Sequence, residues 1–440
     1  MESPVLSGAG AVIGLREATP ENATLKIGQA YLKVASVSGS MLYSDNINWT
    51  SSDPESDLIA IVRLAAAAMY QINNNLQLAV SGCLVYLPTQ GQIGLDGFGI
   101  MDPLYAFSPQ PIFRAQLGYN VTAGDWQILL ADEFSITCGI PYGAGVGFQF
   151  NEQDVAGNYV FESPYNLYGT TNSFLLQVNT TGASASRLLP TETRLTLGAS
   201  ESFYWYQGDG PWTFPTRQTT GYVALNSELE DLRFKPFAFC QADHYDLNSW
   251  DHQQVRGGFR GPVTENLIFE LDGGYYWATG SDMQGPLYGA SLRHTFNPGT
   301  EQSLSAGRYV TDFFGDLESR VVYGLRHQLN SVVTLGFEAN WNQYELLNQT
   351  GRTGSSGGYW GASAGLKAAV FPEGGVALGI GWQRETYADT DPATQDVWMG
   401  RVGVRYRSLE GDVVYRWTNS HQVSQPYLEN MVMFTLTKYF

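Results

Sequence analysis

The feature that most restricts this chain is the rhythm of its connections. From Thr24 to Phe440 it reads as strand-length segments rich in β-branched and aromatic residues. They fall at 24–42, 57–71, 75–88, 111–121, 125–138, 171–183, 192–206, 217–228, 232–246, 253–263, 267–279, 285–297, 302–314, 318–329, 332–346, 358–371, 375–388, 396–408, 412–421 and 428–440. One set of joins is tight: Asn73-Asn74-Asn75, Ala123-Gly124, Glu230-Asp231, Asn297-Pro298-Gly299, Asn330-Ser331, Pro372-Glu373-Gly374 and Glu410-Gly411. The other set is longer and polar, as at 44–56, 89–109, 139–170, 348–357 and 389–394. The two kinds alternate. Such a chain is an antiparallel meander whose two ends differ, with turns at one and loops at the other. A soluble sandwich has no reason to keep that parity throughout.

The segments alternate internally as well. Val376, Leu378, Ile380 and Trp382 share one face, and Ala377, Gly379, Gly381, Gln383 and Glu385 the other. Val333, Leu335, Phe337, Ala339 and Trp341 stand opposite Thr334, Gly336, Glu338, Asn340 and Asn342. Trp398, Val402, Val404 and Tyr406 oppose Arg401, Gly403, Arg405 and Arg407. One face is apolar; the other is small, polar or charged.

Composition decides what the apolar face meets. Charged residues are only 15%, against about a quarter in an ordinary soluble domain. A spanning helix needs about 20 apolar residues, and the longest apolar stretch, Leu58 to Tyr70, is broken by Arg63. A bilayer admits only helices and closed barrels, because every backbone polar group must be satisfied internally. The expectation is an all-β, transmembrane, antiparallel up-and-down barrel of about 20 strands, with 18 as the other count. Tyr70, Trp126, Trp205, Tyr206, Tyr276, Trp277, Trp341, Trp382, Tyr406 and Trp417 lie near segment ends and suit two interfacial girdles. Residues 1–23 are expected to form a periplasmic tail without a signal peptide's basic start. Residues 24–440 form the barrel, with 139–170 as the candidate constriction or plug. Cys83, Cys138 and Cys240 have no metal spacing and read as scattered small apolar residues.

In the last segment Val432, Phe434, Leu436 and Phe440 alternate up to a terminal Phe. This resembles the C-terminal signature of bacterial outer-membrane β-barrel porins and related large outer-membrane channels. Lys438 stands where that family usually has an aromatic or apolar residue. The resemblance implies a multi-pass barrel in the outer membrane of a Gram-negative bacterium, in contact with outer-membrane lipid and lipopolysaccharide. It implies delivery by the barrel-assembly machinery, with Phe440 as assembly signal. It also implies small hydrophilic solutes as cargo; a homotrimer is common among general porins, while export conduits are often single barrels, and the resemblance leaves both open. The third external loop of general porins folds inward and sets acids against an arginine ladder. The connection 139–170 resembles it in position, making Glu152, Asp154 and Glu162 the candidate acids; 89–109 competes for that role.

Net charge is −18, yet the faces opposite the apolar ones are basic. Inward positions hold Arg63, Arg114, Arg194, Arg256, Arg260, Arg293, Arg308, Arg320, Arg326, Lys367, Arg401, Arg405, Arg407 and Arg416, against Glu133, Glu270, Asp272, Glu338 and Glu385. Mid-strand Arg or Lys in lipid costs about 2–4 kcal/mol, which favours the inward assignment. Arginines around a watery pore attract anions. The expected function is passive diffusion of small hydrophilic, anionic solutes; the alternative is an export conduit for an anionic polysaccharide. An outer-membrane hydrolase is the remote reading. It would use Asp243-His244 or Asp251-His252, but neighbours in a strand face opposite ways. No enzyme activity, cofactor, resident metal or nucleic-acid partner is expected. Gly143-x-Gly145-x-Gly147 lacks the context of a nucleotide loop, and Asp389, Asp391 and Asp396 give at most a surface calcium site. Residues 1–23 are too few for the plug of a 22-stranded transporter.

Overall fold

The computed structural model describes residues 23–46, 51, 54, 56–73, 75–87, 92–95, 113–139, 149–150, 161–162, 174–207, 217–229, 231–246, 251–279, 284–310, 317–347, 353–387, 393–421 and 426–440. In chain order the strands are β1 (Leu25–Ile27), β2 (Ala30–Ser44), β3 (Asp57–Gln71), β4 (Leu76–Leu87), β5 (Gln92–Leu95), β6 (Phe113–Ala123), β7 (Trp126–Gly139), β8 (Gln149–Phe150), β9 (Phe161–Glu162), β10 (Phe174–Leu188), β11 (Thr193–Gln207) and β12 (Arg217–Ser227). They continue as β13 (Lys235–Tyr245), β14 (Asp251–Thr264), β15 (Leu267–Thr279), β16 (Gln284–Asn297), β17 (Thr300–Val310), β18 (Leu317–Gln328), β19 (Val333–Leu347), β20 (Thr353–Phe371), β21 (Gly374–Tyr387), β22 (Ala393–Tyr406), β23 (Leu409–Ser420) and β24 (Tyr427–Tyr439).

Twenty of these are the staves of one closed antiparallel barrel. β2, β3, β4, β6, β7 and β10 to β24 each pair with the next. β24 then closes on β2, from Ser36↔Tyr439 to Ser44↔Met431. Closure removes the edges that would leave backbone groups unpaired in lipid. β1 folds back on the start of β2 through Gly28, whose φ of 60° suits glycine. β5 pairs with the loop end of β4, at Leu84–Leu87, where the β4–β6 pairing has stopped, and β8 pairs only with β9.

The staves follow the expected segments closely, with one turn displaced. The expected Glu410-Gly411 turn is instead Arg407-Ser408, because Tyr406 already pairs with Leu409 and Arg407 takes a φ of 55°. Glu410 is therefore a wall residue and Arg407 is not; the latter pairs with Glu373 of the neighbouring turn.

Register fixes the two faces. Leu378, Ile380, Trp398, Val402, Val404, Val413, Val432, Phe434 and Leu436 are exposed on the outside. Their neighbours Ala377, Met399, Arg401, Val414, Met431 and Met433 are buried on the inside. Trp205, Trp341, Trp360 and Trp398 stand in an outer belt near the loop end, where the Trp382 and Trp398 rings lie 6.1 Å apart. Tyr70, Phe296, Phe371, Tyr406 and Phe440 form the other belt near the turn end. These are the two girdles of a transmembrane barrel. Tyr276 is not in them: it shares the inward face with Gln254 and is buried.

Candidate functional site: the charged inner wall

Alternation along each stave sends every second side chain inward, so charges separated by an odd number of residues part company. The expected basic positions divide accordingly. Arg256, Arg293, Arg320, Arg326, Lys367, Arg401, Arg405 and Arg416 share the inward face with Asp272, Ser291, Asn342, Gly336, Ala377, Val414, Glu410 and Met431 respectively. Arg63 and Arg114 occupy inward register positions opposite Ser38 and Ser81, and their side chains lie outside the described residues. Glu152 and Asp154 also lie outside them. Glu162 is described only as a β9 backbone position opposite Gln149.

Most of the inward arginines are held by acids. Arg256 donates from Nε to Asp272 at 2.8 Å and lies 4.9 Å from the Tyr309 ring. Arg401 donates to Asp412 at 2.7 Å and reaches Glu410 at 3.5 Å. Arg416 bonds Glu429 at 2.8 Å, with both side chains almost fully buried. Arg293 pairs with Glu301, and Arg194 with Glu228 at the turn end. That guanidinium holds the Glu228 carboxyl below the usual carboxylate range. Arg405 lies 4.9 Å from the Tyr439 ring. Glu133 is buried on the inner face, Glu270 faces Arg260, and Glu338 stands opposite Ser363.

Sequence reasoning misses several inward acids that pair with its arginines: Glu301, Glu410, Asp412 and Glu429. Glu301 and Glu410 fall in segments that begin earlier than expected. Asp412 and Glu429 are findable by parity, since each shares a face with Arg416 or Met431. Asp243 and Glu318 are inward as well. Asp243 accepts from Thr220 at 2.6 Å and from Gln241 at 2.8 Å, and Glu318 from Asn342. The wall is thus close to charge balance rather than plainly basic.

Arg260, Arg320 and Arg326 differ. Among the described residues none of them forms a hydrogen bond or ion pair with a carboxylate; Arg320 lies 5.8 Å from the Tyr309 ring. Arg260 and Arg320 are exposed to the interior and Arg326 is half-exposed.

The loop end of the barrel narrows on one side. β16 pairs with β17 only as far as Tyr288↔Arg308, while Tyr309 and Val310 continue with β18 alone. Val310 and Leu317 then pack against Tyr276, Ala278 and Leu287, which face the interior. The end of the β17–β18 hairpin therefore leans over the mouth. Arg308 has outward parity, but the lean carries its guanidinium over the inner side of Gly285, where it bonds Glu345 at 3.0 Å.

The two Asp-His dipeptides are split as alternation requires. Asp243 and His252 face each other inward, and His252 packs on Tyr245 and Tyr276 at 4.9 and 5.7 Å. His244 Nδ1 and Asp251 meet outside at 2.6 Å. Asp396 pairs with Arg384 on the outer rim, while Asp389 and Asp391 lie outside the described residues. Among the described residues no cluster of His, Cys, Asp and Glu is placed to hold a metal ion. At the chain's end Phe440 is 62% exposed on the outer face. Lys438 shares that face, donates to Ser408 and lies 6.0 Å from the Phe440 ring.

No protein-family model matches the chain, and no curated protein does. Solved structures similar to it include the siderophore receptor PirA from Acinetobacter baumannii, at 8% identity and a TM-score of 0.45 over 93% of this chain and 81% of that one. OccAB3 from Acinetobacter baumannii gives 8% and 0.45 over 94% and 100%. The ferric enterobactin receptor PfeA from Pseudomonas aeruginosa gives 8% and 0.45 over 93% and 81%. Likenesses this loose carry nothing about solute or mechanism. The register and the apolar outer face stand on their own: this is a closed, transmembrane, antiparallel β-barrel of the outer-membrane type.

Proposed function

We propose that this chain is a passive channel of the Gram-negative outer membrane for small hydrophilic solutes, with a preference for anions. The observation that carries the reading is the trio Arg260, Arg320 and Arg326, which face an accessible interior with no carboxylate in ion-pair contact among the described residues. Paired arginines cancel their acids in contact; Arg260, Arg320 and Arg326 stand near Glu270, Glu318 and Glu301 without touching them, so their guanidinium groups are left to the water-filled space and to passing anions. Barrels of about 16–18 strands already leave an aqueous channel, so twenty staves give ample width. The outward apolar band and the two aromatic belts support membrane insertion.

The test is conductance in planar bilayers under a salt gradient. The folded chain is expected to give steady ion current whose reversal potential has the sign of anion preference. Absence of current from correctly folded protein sinks the channel reading, and a cation-selective current sinks the solute class.

A further inference from the structure

One sector of the outer wall is unsuited to lipid. On β10 the outward positions from Gln177 to the turn end are Gln177, Asn179, Thr181, Ala183, Ala185 and Arg187, with no large apolar residue among them; Leu175 takes the outward position above them at the loop end. Beside it, Asp132 projects outward from the middle of β7 between Leu130 and Phe134. It accepts from Thr181 Oγ1 at 2.6 Å and Asn179 Nδ2 at 3.3 Å, and remains exposed. On the other side Glu201 of β11, opposite Thr181, pairs with Arg217.

Asp132 lies six positions beyond Trp126, the outward residue at the turn end of β7. At about 3.3 Å per residue and a tilt near 40°, that is about 15 Å of height, close to the middle of an apolar band about 25 Å tall. Lipid offers neither hydrogen bonds nor compensating charge at that depth. Elsewhere the mid-strand outward residues are apolar among the described residues, as at Phe337, Ile380, Val402 and Phe434.

We infer that the outer face of β7, β10 and β11 is the contact surface for a second copy of this chain, joined across a two-fold axis along the membrane normal. Rotation about that axis preserves depth, so whatever meets Asp132 must itself be a polar outward group at mid-depth. Among the described residues only this same patch offers such groups, which makes the contact isologous. Its margin also carries the opposite sign, since Arg217 at the start of β12 stands beside Glu201 while Asp132 lies within the patch, so two copies complement each other. The small residues Ala183 and Ala185 let the two walls approach closely.

This inference rests on the chain spanning a bilayer and not on what it conducts. The experiment is disulfide trapping in lipid nanodiscs and vesicles, with Cys83, Cys138 and Cys240 changed to Ala. Thr181→Cys is expected to give a covalent dimer under mild oxidation, whereas Ile380→Cys, at similar depth on the opposite wall, stays monomeric. Should Thr181→Cys not fold, Ala183→Cys takes its place. Asp132→Leu is expected to keep the heat-resistant migration of a folded barrel but lose the dimer on sizing in detergent. Equal trapping at both positions, no trapping at 181 and 183, a trimer, or an Asp132→Leu protein that still dimerises each overturns the proposal. A chain that dimerises yet passes no current leaves this contact standing and removes only the channel reading.

Discussion

From β22 through β24 and on into β3, most inward side chains are buried; along β14 to β18, Arg260, Arg293, Arg320 and Arg326 reach the interior space, while the Arg256–Asp272 pair is covered. In the first sector Leu42, Ile59, Ile61, Met399 and Met431 are all under 5% exposed, and so are Arg416 and Glu429. In the second, the Arg293 side chain is 64% exposed and its partner Glu301 34%. Both sectors are built from the same alternation, and both set arginine against carboxylate. What separates them is solvent. A buried pair is held in place because neither charge can lose its partner cheaply, whereas an exposed pair is screened and free to act on passing ions.

The difference is largest where one member of a buried pair is removed. Glu429→Ala leaves the Arg416 guanidinium without its acid in a dry site, and a loss of about 3–5 kcal/mol in folding stability is expected. Urea unfolding in micelles, followed by tryptophan fluorescence, measures it. A loss below about 1 kcal/mol would mean that water reaches this sector and that the two sectors are alike. Leu42→Ala probes the same packing without charge. Deleting a buried leucine side chain costs about 2–5 kcal/mol when the site cannot collapse, and Leu42 is 1% exposed. A change near zero in the same assay would place Leu42 against open space.

Much of the architecture is legible in the sequence alone. Strand alternation and the parity of turns give twenty staves because the bilayer forbids unpaired backbone, so hydrophobic pattern and topology are tied together. The inner wall is legible in part. Arg401 and Arg416 are inward by parity, but parity is blind to what lies in front of a side chain, so it does not tell buried Arg416 from accessible Arg260. Boundary errors of two residues have larger consequences. Starting β23 at Asp412 puts Glu410 into a turn and hides one partner of Arg401; starting β17 at Gln302 hides the partner of Arg293. The lean of the β17–β18 hairpin, which brings Arg308 inward against its parity, depends on Leu317 finding Leu287 two staves away on β16. No local pattern encodes that contact. The outward Asp132 is equally visible by alternation, since Leu130 and Phe134 flank it at period two, but a search for inward charge passes over it.

Within the accessible sector the effects are on ions rather than stability. Arg260→Ala combined with Arg326→Ala removes two unpaired positive charges and is expected to move the reversal potential toward cation preference. The stability change should stay within about 1 kcal/mol, as for exposed charges generally. An unchanged reversal potential would show that these two do not border the limiting passage, and would shift attention to Arg320 and the leaning hairpin.

Arg293→Ala gives the smallest expected effect and the sharpest contrast with Glu429→Ala. Both changes remove one partner of an arginine–carboxylate pair across adjacent staves, yet Arg293 and Glu301 are solvated where Arg416 and Glu429 are not. The exposed pair is worth about 0.2–1 kcal/mol, so urea unfolding is expected to shift only slightly. Freeing Glu301 leaves an uncancelled negative charge directly across from Arg326 on the next stave. Anion preference is therefore expected to weaken, and more at low salt, where the Debye length is about 30 Å at 0.01 M. If Arg293→Ala instead destabilises the barrel by several kcal/mol, the accessible sector is sealed as well, and solvent does not divide the inner wall.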